Sequence, residues 1–449
     1  MKPITVLAPT GSLGYGFGEA ALKRGLAFEP DVIAVDSGST DPGPHYLGSG
    51  EFLVSRFGYK KELSQLIAAS RAAGVPLVVG SAGGSGSNVQ VDMMVEIVRE
   101  IVREQRLNKV KLARIYADIP KGRIKQAIAK GEIRDFEAGF ALTDDLVDSS
   151  SHIVAQMGFE PIGKALDDGA EIVIAGRACD DAAIAAFPIA RGGDKGLAMH
   201  MGKILECGAF SAVPFAMDVM LGFLGPESFE LEPGSDQRRA SLTSVAAHTL
   251  YERENPIHQQ GPGFAVDLSN CKFEQSSDRR VRVSGARFMP ESDYWVKLEG
   301  AKRIGHRAIC IAGVRCPTMI KRIDSILRAA HEEVVSYMKP HAIRVNFHVY
   351  GRDGVMKGLE PQKSITSHEL GLVMEVLADD AEIALAACHH LSGGLLHVHY
   401  EGQINTSGNM AFPYSPSDFS VGPAYVFSAY HLMKVAGAHE MFPIHHETV

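Results

Sequence analysis

Asp31-Val-Ile-Ala-Val-Asp36-Ser-Gly-Ser-Thr40-Asp-Pro-Gly-Pro-His45 is the stretch that decides the fold. A short apolar run carries Asp36 to its end, and serine, glycine, threonine and acid follow at once. Open α/β sheets place ligands at such strand exits. Two other exits share the pattern. Val6-Leu-Ala-Pro-Thr10 runs into Gly11, Ser12, Gly14, Gly16 and Gly18, and the run at 76–79 opens into Gly80-Ser-Ala-Gly-Gly-Ser-Gly-Ser-Asn88. Together they predict one polar cleft lined by Ser12, Asp36, Ser39, Thr40, Ser85, Asn88 and Arg177, with Gly14 a further substrate contact.

Strand and helix signals alternate through the first 200 residues. Strands are expected at 4–8, 32–35, 77–79, 110–116 and 171–175. Helices are expected at 60–73, 91–104, 119–129 and 197–207, where apolar residues recur at helical spacing. This alternation predicts right-handed crossovers and a mostly parallel sheet. After residue 210 glycine, proline and phenylalanine become frequent, which leaves a further break near 210 open. Strands at 343–349, 371–377 and 395–400 around a helix at 381–391 suggest a smaller ferredoxin-like α+β domain. The expected organisation is therefore an α/β domain over 1–340 and an α+β domain over 341–449.

The 449 residues carry a net charge of −8, with 45% hydrophobic and 22% charged residues. That composition suits a large globular core and does not favour nucleic acid. No stretch reaches the ~18 apolar residues of a membrane span, and no secretory signal opens the chain. Six cysteines lie far apart without a CxxC pair. A cytoplasmic protein with reduced thiols is expected. His445 and His446, close to the last residue, are expected in a disordered tail.

Several groups offer chemistry. Gly14-x-Gly16-x-Gly18 does not have dinucleotide spacing, so it reads as tight turns or as a cradle for another anion. Asp36 and Asp41 with the neighbouring hydroxyls could hold a divalent metal or a polar substrate, or form a local turn. Arg177, in Gly176-Arg177-Ala-Cys179-Asp180-Asp181, suits a two-pronged grip on a carboxylate or phosphate. His248, Tyr251 and Glu252 fall together at helical spacing, an acid–base set or a polar surface. His397 and His399, if on a strand, would share a face and could bind a metal. Asn405 sits in a run of amides and hydroxyls at 403–409 that reads as a substrate-ordering loop.

The exit loop at 10–18, the segment 34–41, the Ile174-Ala-Gly-Arg177 strand end, Leu205-Glu206-Cys207-Gly208 and His248-Thr-Leu-Tyr251-Glu252 together resemble the acyclic terpene utilisation family, the AtuA-type proteins. The resemblance covers most of 3–330, and the last hundred residues look like the ferredoxin-fold unit that accompanies this family. It implies catabolism of branched carboxylic acids or their acyl-CoA thioesters. On that basis the expected function is a lyase or hydratase. Asp36 or His248 would move the proton, Arg177 would hold the anionic group, and the protein is expected to be a homo-oligomer. A metal-dependent hydrolase using His397 and His399, and a non-catalytic subunit of a complex, are the alternatives.

Overall fold

A computed structural model of the protein describes residues 2–252, 255–405 and 407–449. The chain forms two compact units, residues 1–302 with 427–449, and residues 303–426.

The larger unit is built on a ten-stranded sheet. Its centre is parallel, in the spatial order Ile4–Ala8, Val32–Asp36, Leu77–Gly80, Ile172–Ala175 and Lys111–Ile115. Both faces of these strands are covered. Leu7, Ile33, Val35 and Val79 pack under the helices Arg56–Ala73 and Asn88–Glu104. Val6, Val32, Ala34 and Val78 pack under Glu160–Asp167, Ala182–Ala190 and Lys195–Leu205. This is why the strands read as continuous apolar runs rather than alternating ones.

The sheet is parallel at its centre, as expected, and mixed as a whole. Met220–Leu224 pairs antiparallel with Ile4–Ala8, and Ser228–Pro233, Val281–Ser284 and Lys272–Gln275 extend that edge. There is accordingly no break at 210: the glycine- and phenylalanine-rich segment completes the same sheet. At the other edge Ile444–Thr448 pairs antiparallel with Lys111–Ile115. His445 and His446 are thus in a strand, because the backbone groups of an edge offer a ready partner for the chain end.

The division expected near 340 falls at 302/303 instead. One long strand, Tyr294–Val314, spans that point. Residues 298–302 of it pair with Ser150–Ala155, and residues 306–314 with Leu370–Ala378. A single strand therefore carries the chain out of the first unit, and Asp418–Val435 carries it back. In the smaller unit the strands lie in the order Ile343–Tyr350, Leu370–Ala378, Tyr294–Val314, Asp418–Val435. The helices Ile323–Tyr337 and Ala381–Leu396 supply Ile326, Leu327, Leu391 and Leu395 to its core. The strand expected at 395–400 does not form: the alanine-rich helix runs on to Leu396. Among the described residues no helix is long and apolar enough to cross a membrane.

Candidate functional site

The glycine loop after Ile4–Ala8 does not wait for an outside anion. The Gly14 amide donates to Glu62 Oε2 at 2.6 Å and the Gly18 amide to Asp218 Oδ1 at 3.1 Å. Leu13 N–H donates to the Asp36 carbonyl at 3.0 Å, which ties the loop to the next strand end. Burial pushes the Glu62 carboxyl up, against the pull of the Gly14 and Gly16 amides. Internal carboxylates therefore hold the positions a phosphate would take.

The expected cleft residues divide. Ser85 Oγ donates to Gln90 Oε1 at 2.8 Å, within the capping box that starts the helix Asn88–Glu104. Asn88 Oδ1 accepts from the Ala117 and Asp118 amides at 3.0 and 3.1 Å, a bracket between two strand ends. Ser39 Oγ and Asp41 Oδ2 form a surface pair at 2.6 Å, and Thr40 is buried. Asp36 differs from these. It is buried, and its Oδ1, like Ser12 Oγ and Ser37 Oγ, meets no hydrogen-bond partner among the described residues. Burial first, and then the nearby Asp180 charge, push its carboxyl up to about 7.

Arg177 is 3% exposed and fully engaged. Its Nε donates to Glu299 Oε2 at 2.7 Å, and its Nη1 to the Ala178 carbonyl at 3.1 Å and Ser81 Oγ at 3.3 Å. Glu299, 1% exposed, also takes Lys297 Nζ at 3.1 Å. Burial opposes ionisation of Glu299, but Arg177 and Lys297 hold it below the usual carboxylate range. Arg177 is thus an internal strut. The loop at 85–87 reaches it through Gly86, whose φ is +67° and whose carbonyl accepts the Arg177 amide at 3.0 Å. A side chain at Gly86 would run into the Arg177 backbone.

Beside Arg177 lies a cluster that the motifs did not assemble. Lys203 Nζ donates to Asp180 Oδ2 at 2.8 Å, Glu206 Oε1 at 2.8 Å and Glu252 Oε2 at 3.1 Å. Three donors meet three carboxylates. Lys203 and Glu206 are nearly buried, whereas the Asp180 and Glu252 side chains are 31% and 42% exposed, so the cluster meets solvent on that side. Burial opposes ionisation of Asp180, but Lys203 and Arg177 win and hold it low. Glu206 goes the other way. Burial, helped by Asp180 and Asp36, pushes it up to about 8 despite Lys203. The cluster therefore keeps a firmly protonated ammonium beside an ionised Asp180 and a Glu206 that holds its proton near neutrality, with the raised carboxyl of Asp36 nearby. A local signal was present: Lys203 is the one charged residue within 197–205, and Glu206 follows three positions later.

Tyr251 lies beside this cluster. Its ring stacks on His248, with centroids 5.1 Å apart, and Lys203 Nζ lies 5.7 Å from its centroid. Asp36 and Arg177 are electrostatic neighbours, and His248 stacks on Tyr251. Burial pushes the Cys179 thiol well up, which keeps it from acting as a thiolate.

His397 and His399 are exposed, just past the end of a helix rather than on a strand. Asn405 is exposed in the same smaller unit, and Thr406 of its run lies outside the described residues. Among the described residues, the group of three carboxyl, imidazole or thiol ligands whose atoms lie within 4.8 Å of one another is Asp180, Glu206 and Glu252. Lys203 Nζ already bonds to all three.

A family model described as acyclic terpene utilisation family protein AtuA matches residues 57–220 and 232–414. The chain belongs to this family. The matched span carries Arg177, Asp180, Lys203, Glu206, Glu252 and Glu299, and begins after the Asp36 loop. Membership connects this AtuA-family chain with acyclic terpene utilisation. No curated protein and no solved structure matches the chain.

Proposed function

We propose that this AtuA-family protein is an acid–base enzyme, a lyase or hydratase acting on a carboxylate or acyl-CoA thioester of acyclic terpenoid catabolism. The observation that carries the reading is the Lys203 cluster. Glu206, a buried carboxyl that retains its proton near neutrality, accepts from the buried Lys203 ammonium, the raised Asp36 carboxyl is its electrostatic neighbour, and Asp180 and Glu252 open the cluster to solvent. Perturbed groups gathered in this way are the hallmark of proton-transfer sites.

In the elimination direction the ionised Asp180 takes a proton from the carbon beside the carbonyl. Lys203 Nζ stabilises the negative charge that develops on the carbonyl oxygen. The Glu206 carboxyl protonates the departing hydroxyl, so that C–H and C–O bonds break, a C=C bond forms and water leaves. Arg177, first expected to grip the substrate, supports Asp180 and Glu299 from behind. Burial, with the charge of Asp180, maintains the proton on Glu206.

The test is solvent-deuterium exchange beside the carbonyl of branched acyclic acids and their CoA thioesters. Asp180→Asn and Lys203→Met should each lower exchange about 100-fold or more, and Glu206→Gln should lower the loss of water by as much. An unchanged exchange rate in Asp180→Asn would remove the assignment. A metal-assisted hydrolase is the second reading, favoured by the mutual closeness of Asp180, Glu206 and Glu252 rather than by His397 and His399. It requires stoichiometric divalent metal in active protein and hydrolysis lost on chelation.

We read the smaller unit as ferredoxin-like. A β-α-β-β-α-β succession with its second, third, first and fourth strands side by side supports this.

A further inference from the structure

An apolar groove lies against the outer side of Tyr251. Phe210, Val213, Phe215, Ala247, Leu250 and Tyr251 line it, with a volume of about 340 Å³, within the range of small-molecule sites. Among the described residues, none that lines it is Asp, Glu, Lys or Arg. Phe215 is 71% exposed and Leu250 54% exposed, an apolar surface that folding leaves uncovered.

The groove is built rather than loose. One wall is the turn Gly208–Ser211 with the strand Ala212–Val213, and the other is the helix Leu242–Thr249. Ser244 Oγ donates across to the Ser211 carbonyl at 2.7 Å. Ala212–Val213 pairs antiparallel with Arg239–Ala240, and Arg238 Nη1 holds the Phe215 carbonyl at 3.2 Å. A capping box from Ser241 and Ser244 fixes the helix start.

Tyr251 is the partition. Its ring lines the groove and stacks on His248, and Lys203 Nζ lies over the same ring. Apolar surface and a buried acid–ammonium cluster thus meet at one residue. A ligand matching both is amphipathic, with an aliphatic body in the groove and a polar reacting end at the cluster. We propose that this groove seats the hydrocarbon chain of the substrate and selects its length. The proposal rests on the acid–base reading of the Lys203 cluster.

The test is calorimetric binding of straight-chain carboxylates from butyrate to decanoate to the full-length protein. Affinity should rise about fourfold per methylene until the groove is filled. The double variant Phe215→Ser/Leu250→Ser, altered only at exposed side chains, should flatten that rise. Glu206→Gln should keep the rise and lose turnover. Affinity independent of chain length in the wild type, or an unaltered rise in the double variant, overturns the proposal. If the double variant instead breaks up an oligomer and leaves the rise intact, the groove is a subunit interface and the proposal fails. A flat rise with turnover lost in Glu206→Gln sinks the groove alone. A steep rise with Glu206→Gln fully active sinks the acid–base reading and leaves the groove.

Discussion

Asp36→Asn should make the protein more stable above neutral pH, and the gain should fade in acid. Asp36 is buried, and burial together with Asp180 raises its carboxyl from 3.8 to about 7. In the unfolded chain it ionises near the ordinary value. Between about pH 4 and 7 the folded state therefore holds a proton that the unfolded state has released. Stability contributed by the protonated carboxyl is fully present below about pH 4 and is lost as pH rises through 7. A difference of this size corresponds to about 4 kcal/mol. Asparagine has nearly the same shape and does not titrate, so it removes this pH-dependent loss. The assay is urea unfolding at a series of pH values, followed by the fluorescence of Trp295. This is the only tryptophan of the chain, and it lies in the same unit as Asp36. The stability difference between variant and wild type should grow by about 4 kcal/mol from pH 4 to pH 8.5. A difference that stays flat with pH would mean that Asp36 ionises at its ordinary value, and the acid–base reading would lose one of its two proton-holding groups.

Two further outcomes follow from the same cluster. Lys203→Met leaves Asp180, Glu206 and Glu252 facing one another without their shared ammonium, and should lower stability by about 3–5 kcal/mol at pH 7 in the same Trp295 assay. Gly86→Ala places a side chain against the Arg177 backbone at a φ of +67°. It should lower stability by about 2 kcal/mol or more, whereas Gly122→Ala, which meets open space inside a helix, should be neutral or stabilising.

Much of the larger unit was legible because local pattern and burial agree there. The runs at 32–35 and 77–79 are strands buried on both faces, and the spacing of Met94, Ile97 and Ile101 gives a helix with one face on that sheet. The failures have equally local causes. His397 and His399 read as a strand pair because period-two spacing in a short segment resembles strand alternation, and the stronger alanine-rich helix before them took the residues up to Leu396. Arg177 read as a substrate ligand because a strand-end arginine suits that role. Its internal partner, Glu299, lies 122 positions away.

The sequence by itself determined the strand–helix succession, the placement of Asp36 and Arg177 at strand ends, and the family. Tertiary structure alone decided which charges face one another. Apolar periodicity encodes how much of a residue is buried, and each helix or strand carries that information within itself. A buried charge is defined instead by its partners. Here Asp180, Lys203, Glu206 and Glu252 come from a loop, a helix, the end of that helix and a later turn. Only the packing of Lys195–Leu205 beside the parallel sheet brings them around one ammonium, with Tyr251 between that cluster and the apolar groove.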